Sequence, residues 1–304
     1  MPITTNPTED NNQRVQETPV ENVQEDSDNI IETGNYDSDA NSARLNGTVT
    51  ITDKDTPIVV LFGPPSCGKT MTLLRMSRYL RENGYRIAPD RNFRPSYDEA
   101  YQRDCDRFNQ SVSDPIAASP TSQYMFVKIM NNTGKSLCQI LEAPGEYYFD
   151  PTALEKKYPH YFNEIKNSRN RKVWCVFIEP NWIDESTRAT YTNRITELLT
   201  KRSGDKIIIV YNKIDKTNFL MGPGRVNMQG ALRDVNDCYP GLFNAFKNKI
   251  PIINWFKPYD CMFIPFQTGD FSRGTDEFGN EITLYSAADD SFPYNLWRLI
   301  KQSI

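Results

Sequence analysis

Three short stretches combine residue types and spacings that point to chemistry. Gly63-Pro64-Pro65-Ser66-Cys67-Gly68-Lys69-Thr70 fits the pattern G-x-x-x-x-G-K-[ST] at every fixed position. A turn of this kind, opening a helix, aims main-chain N–H groups and a positive dipole end at phosphates. Lys69 is then placed to reach the outer phosphates, and the Thr70 hydroxyl to ligate Mg²⁺. Pro64 and Pro65 have no N–H, so the donors run from Ser66 through Cys67 and Gly68. The second stretch, Glu142-Ala143-Pro144-Gly145-Glu146, puts an acid and a glycine where an apolar run ends. The third, Asn212-Lys213-Ile214-Asp215, follows Ile207-Ile208-Ile209-Val210 directly. Gly134-Lys135-Ser136 imitates the first stretch but lacks its leading glycine, since Ile129 stands there.

Each stretch needs an element to carry it. Val59 to Phe62 reads as a buried strand, and Met71 to Glu82 as a helix stopped at Asn83-Gly84. Tyr97 to Phe108 reads as a helix capped by Ser96, and Ser111 to Pro120 as loop. Tyr124–Met130 and Ser136–Leu141 flank Asn131-Asn132-Thr133-Gly134 as a hairpin. Further helices are expected over 152–167, 186–201, 228–237, 242–248 and 293–302, and strands over 172–178, 206–211 and 261–266. A turn-rich excursion spans 271–285, with Glu277-Phe278-Gly279-Asn280 as a hairpin tip. Strands separated by helices predict an α/β fold with three layers: a mostly parallel sheet, one antiparallel strand, and helices on both faces.

The order of phosphate loop, hairpin, acid-x-Pro-Gly and Asn-Lys-x-Asp resembles that of the Ras-like and translation-factor-like P-loop GTPases, over roughly Thr56 to Ile304 of a nucleotide-binding domain expected at 51–304. That resemblance implies a GTPase binding GTP or GDP with Mg²⁺, slow in turnover and acting as a conformational switch. Gly63, Ser66, Cys67, Gly68, Lys69 and Thr70 would hold the phosphates, and Asp215 would select guanine with Asn212 and Lys213 in support. Gln267 and Thr268 would stand where the family's backbone meets guanine O6. Thr70, Glu142 and Thr121 would ligate the metal, Ser119 and Ser122 being rivals for Thr121. Catalysis would involve Lys69, Thr121, Gly145 and Glu146. Here Glu142 replaces the family's usual aspartate, and Glu146 the glutamine that orients the attacking water in Ras-like proteins. A nucleotide-binding module without hydrolysis, or a P-loop ATPase or kinase, are the rival readings. Arg91, Arg94, Arg103 and Arg107 are candidates for an internal arginine finger, against the plainer reading of a solvated helix face. The aromatics Tyr147, Tyr148, Phe149, Tyr158, Tyr161 and Phe162 fit either an effector surface or core packing.

Composition sets the limits. The chain has 304 residues, net charge −4 and one histidine, His160. Residues 1–50 read as an acidic tail: ten Asp and Glu lie between Glu9 and Asp39, against Arg14 and Arg44, with Tyr36 the lone aromatic. The remainder is mildly basic, which suits a polyphosphate and gives no argument for nucleic acid. Ile30 and Ile31 are a candidate partner motif within the tail. Six scattered cysteines without C-x-x-C predict reduced thiols, no zinc site and a cytoplasmic protein. No apolar run approaches the roughly 18 residues of a membrane span. An unidentified protein effector or regulator is the partner such a switch would need.

Overall fold

Ile58-Val59-Val60-Leu61-Phe62 is apolar at every position, a pattern suited to a strand covered on both faces. In the computed structural model it is β1 (Ile58–Phe62), buried throughout. Residues 47–113, 124–150, 158–180, 182–199, 204–248, 258–275 and 281–304 are described. After β1, helix α1 (Lys69–Glu82) leads to β2 (Arg86–Pro89) and α2 (Glu99–Ser113). The hairpin strands β3 (Met125–Met130) and β4 (Ser136–Glu142) follow, then α3 (His160–Asn167), β5 (Lys172–Ile178), α4 (Glu185–Leu199) and β6 (Lys206–Tyr211). The chain continues through β7 (Leu220–Gly222), β8 (Arg225–Val226), α5 (Met228–Cys238) and β9 (Met262–Pro265). A hairpin of β10 (Gly269–Thr275) and β11 (Glu281–Ala287) precedes α6 (Ser291–Ser303).

The main sheet has the order β2-β3-β4-β1-β5-β6-β9. β1 lies parallel to β4 and β5, β5 to β6, and β6 to β9. β3 runs against both β4 and β2, so it alone in this sheet is opposed in direction. α1 packs on α2 and α6. On the flank formed by α3 and α4, Phe62 meets Phe162 and Tyr191 with ring centroids 6.4 and 6.2 Å apart. With helices covering both faces, this is an α/β fold in three layers around a mostly parallel sheet.

Several elements differ from expectation. α2 begins at Glu99 and runs to Ser113, because Asp98, whose Oδ1 accepts from the Tyr101 N–H at 3.1 Å, caps it in place of Ser96. α3 is described only from His160, since residues 151–157 lie outside the described part. Residues 242–248 form no α-helix; a single 3₁₀ turn, Asn244–Phe246, stands there. The turn-rich excursion does form a hairpin, β10–β11, whose expected tip at 277–280 lies outside the described residues. β2 and the β7–β8 pair are runs of two to four residues, too short to read as strands, and Pro89 is tolerated in β2 because that strand is an edge. The acidic tail up to residue 46 also lies outside the described residues. No described helix is long and apolar enough to cross a membrane.

Candidate nucleotide site

A parallel sheet places the carboxyl ends of its strands along one edge, where ligands collect. Each parallel strand here hands a candidate segment to that edge. β1 ends in the phosphate loop, β4 in Glu142, β5 in Glu179, β6 in Asn212 and β9 in Phe266-Gln267-Thr268. The register sets them level, with Leu61 beside Glu142, Ile178 beside Tyr211, and Tyr211 beside Pro265.

In the phosphate loop, Ser66 (φ 58°) and Gly68 (φ 86°) are left-handed on either side of Cys67, an alternation that converges successive N–H groups on one point. α1 begins at Lys69 with no side chain capping it and no acid in its first turn, so its N-terminal dipole end is not neutralised locally. Lys69, 5% exposed, donates from Nζ to the carbonyls of Gly63 (3.1 Å) and Pro64 (2.8 Å). A Cβ on Gly63 would lie 2.7 Å from Cys67 Sγ and 2.8 Å from Phe177 Cβ, so the turn closes only around a glycine. Cys67 is fully buried, and that burial pushes its thiol up, with the Lys69 ammonium opposing. Thr70 Oγ1 donates to Glu142 Oε1 at 3.0 Å. A hydroxyl and a carboxylate, both hard oxygen ligands, thus converge beside the first turn of α1, and they fit Mg²⁺ in chemistry and place. Thr121, Ser119 and Ser122 lie outside the described residues.

The second half of the site is joined to the first by a side chain. Asn212, 1% exposed, donates from Nδ2 to the Cys67 carbonyl at 2.8 Å, and a Cβ on Gly68 would overlap that same Nδ2. Its Oδ1 is buried with no hydrogen-bond partner among the described residues. Lys213 is left-handed at φ 58° and ψ 40°, and opens the 3₁₀ turn Ile214–Lys216 that presents Asp215 to solvent. The Ile214 N–H donates to the Phe266 carbonyl at 3.2 Å, which holds this turn against the segment after β9. There Gln267 and Thr268 are buried. Gln267 Nε2 donates to Asp270 Oδ1 at 3.2 Å, and the Tyr285 hydroxyl donates to the Thr268 carbonyl at 2.6 Å. The β10–β11 hairpin therefore braces the far wall of the crevice, through Tyr285 on the Thr268 carbonyl.

Gly145 sits directly on the phosphate loop, where a Cβ would overlap the backbone of Pro64 and Pro65. Gly145→Ala is accordingly expected to cost about 1–3 kcal/mol of stability, as overpacking does. Urea unfolding of the variant measures it, and an unchanged midpoint would show that the two loops do not touch. Glu146 is exposed, its side chain toward solvent. After it the chain turns inward: Tyr147, Tyr148 and Phe149 are buried, and Tyr148 lies 4.9 Å from Phe62, ring to ring. Tyr161 and Phe162 are equally buried, so these aromatics form core under the site and no effector surface. Burying such a ring is worth about 3 kcal/mol. Drawing out Tyr148 and Phe149 together would cost more than the roughly 1–3 kcal/mol of a typical coupling between sites.

The four arginines of the insertion are engaged within it or beside it. Arg91 pairs with Asp106, Arg94 with Asp98, Arg103 with Glu99 and Arg107 with Asp104. Two contributors escaped sequence reasoning. Glu179 pairs with Lys213, and Tyr239 holds the Glu179 backbone. An acid just after a buried strand is the same signal that singled out Glu142.

No protein-family model and no curated protein sequence matches the chain. Among solved structures it resembles nucleolar GTP-binding protein 1 from Plasmodium falciparum at 15% identity and TM-score 0.36, over 72% of this chain and 80% of that one. It also resembles the GTPase-like domain of Ski7 from S. cerevisiae, bound to GDP and inorganic phosphate, at 12% identity and TM-score 0.43, over 88% of this chain and 52% of that one. A third likeness is Roco2 RocCORdC from Methanosarcina barkeri bound to GDP, at 13% identity and TM-score 0.31, over 73% of this chain and 46% of that one. The chain thus spans about half the length of the Ski7 and Roco2 chains it matches.

Proposed function

We propose that this chain binds guanine nucleotides in the crevice at the carboxyl edge of its sheet and hydrolyses GTP slowly to GDP and phosphate. The observation that carries the reading is the bond from Asn212 to the Cys67 carbonyl. It fastens a loop fit to read a purine to a loop fit to cradle phosphates, so that one ligand can touch both. Asp215 supplies a carboxylate that matches the paired N–H donors of guanine, which adenine lacks. Lys69 would leave the Gly63 and Pro64 carbonyls for the outer phosphates. Thr70 and Glu142 would hold Mg²⁺ with Thr121, Ser119 or Ser122, and the ion would offset the charge of the β and γ phosphates. Gly145, seated beside the loop, would offer its N–H to the γ-phosphate.

Competition of GTP and ATP for the purified protein, followed by phosphate release, tests this reading. GTP is expected to win by at least a hundredfold, with turnover on the order of 10⁻³ per second because no glutamine stands beside Gly145. Equal affinity for ATP would overturn it. Glu146→Gln is expected to raise single-turnover hydrolysis about tenfold, since an amide beside the triphosphate can hold water without charge repulsion. An unchanged rate would mean that residue 146 never meets the attacking water.

A second reading, nucleotide binding without turnover, is favoured by the burial of Tyr147, Tyr148 and Phe149 immediately after Gly145. A segment so anchored is poorly suited to swing with the γ-phosphate. Absence of phosphate release with tight GTP binding would select it. Either way, a protein effector or regulator would read the nucleotide state, and a cytoplasmic setting would supply GTP.

A further inference from the structure

Glu179, the first residue after β5, is 6% exposed and its Oε2 is ion-paired with the Lys213 Nζ. The other end of the residue is fixed as well. The Tyr239 hydroxyl donates to the Glu179 carbonyl at 2.8 Å and accepts from its N–H at 3.3 Å, and Tyr239 is itself buried. One position earlier, the Ile178 carbonyl accepts from the Asn212 N–H at 2.8 Å. The end of β5 is therefore tied to residues 212 and 213 by backbone and side chain together.

Lys213 sits between Asn212, which grips the phosphate loop, and the 3₁₀ turn that presents Asp215. Its left-handed backbone is one that residues with a Cβ avoid, so something must hold it there. A buried carboxylate is stable only when paired, and the ammonium supplies that partner. In return, an ammonium held by an immobile carboxylate fixes the line of the four-carbon stem. The Lys213 side chain is 27% exposed, so a stem so held offers apolar surface against which the face of a purine ring can lie.

We propose that Glu179 is the positioning residue of the base half of the site, acting through Lys213 to fix the wall against which guanine stacks. This rests on the guanine-nucleotide reading above. Removing the charge at 179 should weaken the hold on the base and leave the hold on the phosphates alone.

The test uses the full chain and two probes, fluorescent GDP and inorganic pyrophosphate. Glu179→Gln is expected to raise the Kd for GDP about tenfold, with the Kd for pyrophosphate within about twofold of the parent. Lys213→Met should raise the GDP Kd by a similar factor. The double variant should be no worse than Lys213→Met alone, because the two residues act as a unit. Glu179→Asp, with its charge kept and its reach shortened, should recover part of the affinity. An unchanged GDP affinity in Glu179→Gln overturns the proposal, as does an equal loss for both probes accompanied by a lowered Tm. Asp215→Asn in the same assay separates the two claims. If it also leaves GDP affinity unchanged, the guanine reading itself fails; if it weakens GDP while Glu179→Gln does not, only the role of Glu179 is lost.

Discussion

Lys69→Met is expected to raise the Kd for GTP and GDP about a thousandfold while leaving the fold intact. In the wild-type chain the ammonium donates to two loop carbonyls, Gly63 and Pro64, at 3.1 and 2.8 Å, so it is already aimed across the mouth of the phosphate loop. Charge-assisted hydrogen bonds contribute about 1.5–3 kcal/mol each. Two of them lost to phosphate oxygens amount to roughly 4 kcal/mol, or three factors of ten in Kd. Methionine keeps most of the stem that packs under the loop, where the Lys69 Nζ lies 6.0 Å from the centre of the Tyr148 ring. The near-ultraviolet spectrum should therefore stay close to that of the parent, while the Gly63 and Pro64 carbonyls, left without their donor, lower the thermal midpoint. Titration with fluorescent GTP and GDP measures the effect, and a Kd within threefold of the parent would remove the phosphate site from this loop.

The same physics explains which parts of the molecule the residues announced. β1, β5 and β6 are continuous apolar runs because both their faces are covered, and such runs need no partner to be recognised. β2 is an edge of the main sheet, and β7–β8 and β10–β11 are separate two-stranded ladders, so their pairing leaves little continuous hydrophobic pattern behind. Within the candidate site, Gly63 to Thr70 and Asn212 to Asp215 stood out in the sequence because their backbone and side-chain demands are packed into a few consecutive positions. The pairing of Glu179 with Lys213, and the seat of Gly145 on Pro64 and Pro65, join residues far apart in the chain. Contacts of that kind have no spacing to read. The aromatic run after Gly145 shows the reverse case, since residue types alone fit a surface or a core, and only the position of Phe62 beneath them decides for the core.

Asp215→Asn is expected to lower GDP affinity by at least a hundredfold and to improve binding of the xanthine nucleotide XDP. Guanine presents two adjacent donors, its ring N–H and its amino group, and a carboxylate can accept both. An asparagine at 215 keeps one acceptor and turns an N–H₂ toward the remaining donor, so one hydrogen bond is lost and two donors face each other. At about 1.5–3 kcal/mol per hydrogen bond to a charged group, the loss is roughly 3 kcal/mol or more. Xanthine carries an oxygen where guanine has its amino group, and that oxygen can accept from the asparagine amide. Asp215 is exposed and lies in a 3₁₀ turn held by Ile214 to the Phe266 carbonyl at 3.2 Å, so the substitution leaves the local packing undisturbed. Discrimination arises because closing over the wrong base strips water from the carboxylate without replacing its hydrogen bonds. Displacement of fluorescent GDP by GDP, XDP and ADP, in parent and variant, measures all three affinities. Should the variant keep the parent's order of preference, Asp215 does not touch the base, and the guanine reading falls while the phosphate site tested through Lys69 stands.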